Sequence, residues 1–587
     1  MADAGLAAPA RRLPAGAGCL ERFARRADVA SEHTLLLLLA GLYVGVFCLL
    51  PILRLGLELV RAGEAGLVGE VLASRATRRA LLNTLEAGIL SAALATLVGG
   101  GLALLTGLTD LRGRRTAALL LLLPLLVPAQ ITAMAWLQLL GPSSPILAPL
   151  GLAPAAGTSN PLYSREGVIL LLALEHATMP FLAVRAGLAA IPAELLEAAR
   201  IAGAGPVRAV LGVVLPLLRP AILAGGALAF VAALGNFGVP ALLGIPGRYT
   251  LLTSLIYQRL SGFGPRVLPE VAVLAGLLAL LAMVGLVLQA WAQRGVAASP
   301  GRGLLEAPAL RLGRLRAPLE VAVWGLLLLV TSMPMAALVA SALVPAAGVP
   351  LAPDTLTLRN FELILASHGA VARAFANSLL LAALAAAATV AASLPLAWLV
   401  HQARSPTAQV LDLLADAPWA LPGIVLAIAV ILVFLKPLPL LGTSLYGTLA
   451  ILVVSYAGRF LALALRPIAA GMQQLEPAMD EAAANLGARP IRRLGGVHLP
   501  LLLPVVAAGG LLVFMTALNE LTVSALLWST GNETLGVVVF MLYDEGNTGG
   551  AAAVATVATA LVLALAGLAA LLARAAGVPR GVLPWQG

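Results

Sequence analysis

Long apolar runs alternate with short polar segments that hold nearly all of the charge, and the alternation continues from about residue 34 to about residue 574. At roughly 20 residues per bilayer crossing, twelve runs are long enough, near 34–57, 80–107, 117–140, 168–190, 217–243, 270–291, 318–343, 374–400, 410–434, 447–470, 501–527 and 551–574. Each predicts a membrane-spanning helix. The expected fold class is therefore all-α and polytopic, with about 12 transmembrane helices.

The pattern repeats at a scale larger than one span. Glu197–Pro216, EAARIAGAGPVRAVLGVVLP, returns 284 residues later as Glu481–Pro500, EAAANLGARPIRRLGGVHLP. Glu197, Ala198, Ala199, Gly203, Val213, Leu215 and Pro216 match Glu481, Ala482, Ala483, Gly487, Val497, Leu499 and Pro500. After the motif the offset of 284 continues through Pro220 and Pro504, Gly225-Gly226 and Gly509-Gly510, and Phe230 and Phe514. Before it the offset is 294, matching Asn83-Thr84-Leu85 with Asn377-Ser378-Leu379, Pro124 with Pro418, and Pro128 with Pro422. The difference falls most naturally between 141–167 and the shorter 435–446.

Two tandem six-helix halves in one orientation imply a pseudo-two-fold axis along the membrane normal, with a path enclosed between them. Prolines inside spans three and nine are expected to be tolerated where neighbouring helices satisfy the freed backbone groups. The expected organisation is a tail at 1–32, a first half at 33–291, a linker at 292–317, a second half at 318–574 and a tail at 575–587.

Each copy of the motif predicts two short helices around a glycine-centred turn. Pro192 and Pro477 suit a first helical turn, the helices should stop at Gly203–Pro206 and Gly487–Pro490, and a second helix restarts at the proline. The alanine pair makes a smooth face for a partner's groove, and the glutamate beside it supplies one directional charge. A pair of docking loops fits this pattern better than two chance placements of solvated charge, because the placement is the same twice.

Composition and charge narrow the picture further. Hydrophobic residues fill 60% of 587 positions and charged ones 11%, far too apolar for a soluble protein. The net charge of +10 is nearly all arginine, since Lys436 is the one lysine. A nucleic-acid binder would gather its arginines on a solvated domain. Here they lie between apolar runs, as the positive-inside rule expects, and no nucleic-acid partner is implied.

Arg11, Arg12, Arg22, Arg25 and Arg26 precede the uncharged run Thr34–Leu53, which is too long for a signal-peptide core and lacks a small-residue cleavage site. It reads as a retained first span with a cytoplasmic N-terminus. Threading from there puts both motif loops, the linker and the C-terminus in the cytoplasm, with roughly 22 arginines inside against about 11 basic residues outside. Arg61–Arg79 resists this pattern: it carries four arginines and reads as an amphipathic external segment.

A phosphate-cradling loop needs Gly-Lys-Ser/Thr, and the lone lysine sits between Leu435 and Pro437, so the chain is not its own conventional ATPase. Cys19 and Cys48 are too few for a disulfide framework or a Cys-based zinc site. His33, His176, His368, His401 and His498 show no ligand spacing, and neither a metal site nor a cofactor is expected. A catalytic constellation is likewise not found, so an enzyme is not expected.

The paired motif and six-span halves resemble the inner-membrane permease subunits of bacterial ABC importers. Within that group, Asn-Thr-Leu and Asn-Ser-Leu opening spans two and eight, with LGNFGVPALLG (Leu234–Gly244) and LNELTVSALLW (Leu518–Trp528), look most like the fused ferric-iron transport permeases. Thiamine, phosphonate and polyamine permeases share much of this pattern. The resemblance implies a bacterial inner-membrane location, two cytoplasmic ATPase subunits docked on the Glu-Ala-Ala loops, and a separate substrate-binding protein. An ion-coupled secondary transporter also has twelve spans in two halves, but it relies on buried acids and has no use for two docking loops.

Glu86, Glu175, His176, Asp412, Asp416 and Glu520 lie within or near spans, where ionisable groups are functional candidates. Glu520, with Asn519 beside it, is the best of them for lining the path. Asn236 joins this set through the resemblance, at a position where the group commonly carries an acidic residue. The 284 offset also puts Glu175 of span four opposite Arg459 of span ten. They are expected either to pair or to face a local group, each in its own half.

Overall fold

The computed structural model describes residues 31–125, 127–294, 310–367, 369–439 and 442–575. The five N-terminal arginines, Cys19, His368, most of the linker and most of the C-terminal tail lie outside these residues. Among the described residues the regular structure is helical, with a single isolated bridge between Thr109 and Leu310.

Among the described residues ten helices are long and apolar enough to cross a membrane, beginning with Ser31–Glu64 and Arg75–Leu108 and ending with Pro490–Leu518 and Thr548–Leu568. The remaining two of the twelve expected spans are broken, at equivalent places. Span nine is Pro406–Ala420 followed by Gly423–Phe434, bent by 108°. Span three is Arg114–Leu122, a 3₁₀ turn, and then Ala129–Leu140.

Both breaks fall at the prolines expected to be tolerated. Pro128 and Pro422 are extended N-cap residues, with ψ of 142° and 138°, and each opens a new helix. A proline disfavours helical geometry in the residue before it and donates no hydrogen bond, so the chain turns here rather than kinking gently. Side chains answer the carbonyls freed nearby: Thr178 Oγ1 donates to Leu121 O at 3.0 Å, and Arg459 Nη1 donates to Leu421 O at 3.4 Å.

Spans five and eleven are shorter than their apolar runs. The main helices stop at Gly235 and Leu518, then continue as the short turns Pro240–Gly244 and Ser524–Leu527. Two further helices follow, Leu252–Leu260 and the apolar Leu535–Asp544, each well short of a bilayer crossing. Arg61–Arg79, expected as one external segment, is divided: span one runs on to Glu64, a short helix covers Leu67–Ala73, and span two begins at Arg75.

The first span of each half packs on the other half. Span one lies against the second half of span nine and against span ten. There the Tyr43 hydroxyl donates to Ala457 O at 2.9 Å, and a Cβ on Gly458 would collide with the Phe47 carbonyl. Span seven, Gly313–Ala342, packs on Ala129–Leu140 and on span twelve, with Ser341 Oγ 3.1 Å from Gln138 Oε1. This exchange interlocks the two sequence halves.

Candidate functional site

The repeated loops adopt the expected turn. Ala193–Ile201 and Pro477–Asn485 are helices that end in Gly203 and Gly487, at φ of 83° and 85°. Glycine holds that left-handed geometry without the strain a Cβ would bring. The amides of Ala204 and Ala488 reach back to the carbonyls of Ala199 and Ala483, at 2.9 and 3.0 Å, closing each helix end.

Helix resumes at Pro206 and Pro490, and this second helix is the start of spans five and eleven rather than a separate short element. A π-turn, Val210–Val214 or Leu494–His498, precedes Leu215-Pro216 or Leu499-Pro500. Proline crowds the carbonyl four residues earlier, and the wider π-turn accommodates it there. The Leu-Pro signature thus marks helix geometry at the base of each loop.

Glu197, Ala198, Glu481 and Ala482 are exposed, and Ala199 and Ala483 are half-buried. The loops also expose apolar side chains that the motif did not single out. Leu195, Ile201 and Val207 on one, and Met479, Leu486 and Ile491 on the other, face outward, Ile201 and Leu486 at 88%. Leu195 and Met479 are equivalent, as are Val207 and Ile491. Their agreement in exposure was visible in the sequence as paired apolar positions inside polar loops.

Beneath the loops the two halves differ. In the first, Leu196, Ala209 and Val214 are buried against half-buried Leu104. At the equivalent positions the second has Asp480, Arg493, His498 and Trp398. Asp480 Oδ1 accepts from Trp398 Nε1 at 3.2 Å and lies 2.8 Å from His498 Nε2, while Oδ2 pairs with Arg493 at 2.5 Å. The Arg493 guanidinium stacks 5.1 Å from the Trp398 ring. Glu32 at the start of span one also engages this loop, accepting from the Ile491 amide at 3.2 Å.

At the junction of the halves lies a cavity of about 230 Å³. Val127–Gln130 of span three border it on one side, and Arg459 with Asn519–Thr522 on the other. Asn519 and Glu520 therefore sit on one cavity, whereas Asn236 is buried outside its lining. Glu520 accepts from the amides of Val523 and Ser524 at 2.9–3.1 Å, and Asn236 Oδ1 accepts from Val239 N at 3.0 Å. Both side chains cap the turn that follows the main helix of spans five and eleven.

Glu175 and Arg459 do not pair. Glu175 accepts from Asn236 Nδ2 at 3.0 Å. Arg459 reaches Leu421 O, lies 5.7 Å from the Trp419 ring centre, and faces Glu520 across the cavity. Each is served within its own half, because the offset identifies equivalent positions and says nothing of contact. Of the other acids near spans, Glu86 pairs with Arg165, and Asp412 and Asp416 share Arg466 at 3.0 and 2.8 Å.

The ends of the bundle can be told apart by span four, Arg165–Ala190. Its start meets Glu86 near the start of span two, and its far end leads into the first repeated loop. The Arg75 end of span two is thus opposite the loops. Between these ends the halves also meet through Phe237, Tyr257 and Phe540, with ring centres 5.1–6.1 Å apart.

Residues 88–298 and 393–578 match the family described as "Binding-protein-dependent transport system inner membrane component", one segment in each half. The chain is 29% identical to a "Probable ABC transporter permease protein" of Sinorhizobium fredii over 84% of this chain and 87% of that protein. It is 24% identical to a "Ferric transport system permease protein" of Actinobacillus pleuropneumoniae, over 72% of this chain and 60% of that one. A "Probable molybdenum ABC transporter permease protein" of Haloferax volcanii is 35% identical over 36% of this chain. The duplicated helical halves and the two matched segments agree: this chain belongs to the binding-protein-dependent transport system inner membrane components, and is the multi-pass permease of an ABC importer.

Proposed function

We propose that this permease carries ferric iron, with ATP hydrolysis on two separate cytoplasmic subunits, one seated on each repeated loop. The observation that carries the coupling is the pair of equivalent loops, each exposing one glutamate beside two alanines and a set of apolar side chains. Exposed apolar groups around a single charge suit a partner's groove. The docking set is Glu197, Ala198, Ala199, Gly203, Leu215 and Pro216 with Glu481, Ala482, Ala483, Gly487, Leu499 and Pro500. One chain should therefore assemble with two ATPase subunits, and a purified complex whose mass requires two copies of this chain would overturn that stoichiometry.

On this reading the loops, the linker and both termini are cytoplasmic, the opposite end receives the substrate-binding protein, and the halves are 33–291 and 318–574. The path runs between the halves, past Asn519 and Glu520 at the cavity, with Asn236 holding the equivalent turn in the first half. The ferric reading is supported by the relatives named for ferric transport that align across both halves. Relatives named for molybdenum and 2-aminoethylphosphonate align over about a third of the chain. Uptake of radioactive iron by cells expressing the complete importer tests the cargo. Iron accumulation unchanged on deletion, with loss of molybdate or aminoethylphosphonate uptake instead, would reassign it.

A further inference from the structure

The end opposite the repeated loops carries arginines that the positive-inside pattern leaves unexplained. Arg75 and Arg79, on the first turns of span two, and Arg248, in the turn after Pro240–Gly244, surround an open cleft of about 370 Å³ with Asn83, Thr250 and Gln258. All three arginines are exposed, and none forms an ion pair with any described residue. Arg248 sits at φ 54°, a left-handed geometry uncommon for a residue with a Cβ, which turns it out of the helical path.

The equivalent positions of the second half are differently furnished. Asn83 Nδ2 donates to Thr250 O at 3.0 Å, and its counterpart Asn377 donates to Gly531 O and Glu533 O at 3.1 and 3.0 Å, so the same asparagine ties the same loop in both halves. Arg79 corresponds to Arg373 through the 294 offset, and Arg248, Tyr249 and Thr250 correspond to Asn532, Glu533 and Thr534 through the 284 offset. Arg373 is answered within the chain by Glu533 at 3.4 Å. In the first half a tyrosine stands where that carboxylate would be, the tyrosine is engaged with Glu86 at 2.9 Å, and two extra arginines have been added.

We infer that the missing carboxylates come from outside: Arg75, Arg79 and Arg248 form the seat for an acidic patch on the substrate-binding protein. This rests on the reading above that the binding protein meets this end of the bundle. A carboxylate side chain is the group that fits, because it is what answers the equivalent arginine, Arg373, in the other half. A macromolecule fits better than a free anion, because the cleft is open and its arginines exposed, and because it is continuous with a second one. Gln258 borders both, and the second cleft, of about 580 Å³, is rimmed by Arg259, Arg266 and Glu270 beside a wholly exposed Phe263. Arg259 and Arg266 are answered by Glu270 at 3.8 Å and Glu70 at 3.6 Å, so the unanswered charge is that of the first cleft, and the exposed aromatic extends it with the composition of a protein interface.

The same arrangement orients the partner. The first-half cleft attracts an acidic surface, while at the equivalent second-half positions Arg373 is already neutralised by Glu533. A two-lobed binding protein would therefore seat its acidic lobe over the first half.

The test uses the complete importer in nanodiscs of phosphatidylcholine, titrated with the substrate-binding protein of the same importer. Replacing all three residues (R75Q/R79Q/R248Q) should raise Kd at least ~10-fold and flatten its dependence on salt between about 50 and about 300 mM. Arg373→Gln should shift it less than ~2-fold, as its charge is already answered. Arginine substitutions in the partner's acidic patch should restore binding to R75E/R79E/R248E. An unchanged Kd and salt slope in the triple variant would overturn the inference while leaving the partner reading intact. A loss seen only in phosphatidylglycerol discs would assign the arginines to anionic lipid and also overturn it. Failure of the unaltered importer to bind the protein at all would overturn both.

Discussion

Glu175 and Asn236 are joined by a 3.0 Å hydrogen bond, and the residues equivalent to them in the other half, Arg459 and Glu520, face each other across the central cavity. One pair of positions is thus coupled within each half, with the carboxylate exchanged from span four to the end of span eleven. In both halves the second member also caps the turn after the main helix of span five or eleven. Asn236→Ala removes the cap and leaves the Glu175 carboxylate without its donor, and is expected to cost about 1–3 kcal/mol. Glu175→Gln keeps an acceptor for Asn236 and should cost less. Thermal unfolding of the purified protein in detergent checks the order. A double-mutant cycle should give coupling for Glu175 with Asn236 and near-additivity for Glu175 with Arg459.

Glu197→Lys and Glu481→Lys should each impair uptake at normal membrane yield. Both side chains are exposed, so reversal should alter folding stability by no more than about 0.5 kcal/mol. A loss of about 1.4 kcal/mol in docking would weaken the ATPase contact ~10-fold. Uptake with quantified expression is the measurement, and the double reversal transporting at the normal rate would remove the glutamates from the docking set.

Among the described residues, hydropathy located the ten crossing helices and the two broken spans because burial in lipid constrains every residue of a crossing. It overran where the chain stops short: the runs at 217–243 and 501–527 outlast their main helices, which end at Gly235 and Leu518. The breaks at Pro128 and Pro422 were legible in principle, since each proline pushes the residue before it out of helical geometry at the same place in both halves. The loops were legible because glycine at positive φ and the restarting prolines act locally. What lies under them was not: Asp480, Arg493 and His498 look like solvated loop charges until the structure brings them together on Trp398. Their replacement by Leu196, Ala209 and Val214 at equivalent positions was the available signal.

Asp110 fastens the start of span seven to the loop after span two. It accepts from the Leu312 amide at 3.0 Å and pairs with Arg316 at 3.1 Å. The Leu312 hydrogen bond and the Arg316 charge hold its carboxyl below the ordinary range. A carboxyl with a depressed folded-state value contributes stability above its unfolded value, near 4, and that contribution is lost as pH falls through the folded one. The clasp should therefore hold at neutral pH and loosen only below about pH 4. Hydrogen exchange at Leu312, corrected for intrinsic rate, should rise over that window, whereas Asp110→Asn should show raised exchange with no such step.

The four positions under the repeated loops offer a test of why the halves differ. Asp480→Leu alone strands Arg493, which is almost buried, and His498, which is 1% exposed. Breaking a buried charge pair by removing one partner costs about 3–5 kcal/mol, more than the pair itself contributes. Copying the whole first-half set (W398L/D480L/R493A/H498V) removes donors and acceptor together and should recover most of that loss. The recovery will be incomplete, because Trp398 is also packed near His33 at the start of span one, 6.3 Å between ring centres, and leucine leaves part of that space empty. Urea unfolding of the detergent-solubilised protein gives the stabilities. If the single change and the fourfold change are equally destabilising, the cluster's charges are not compensating one another. If the fourfold variant is stable yet transports poorly, the second loop needs its polar base for coupling rather than for folding.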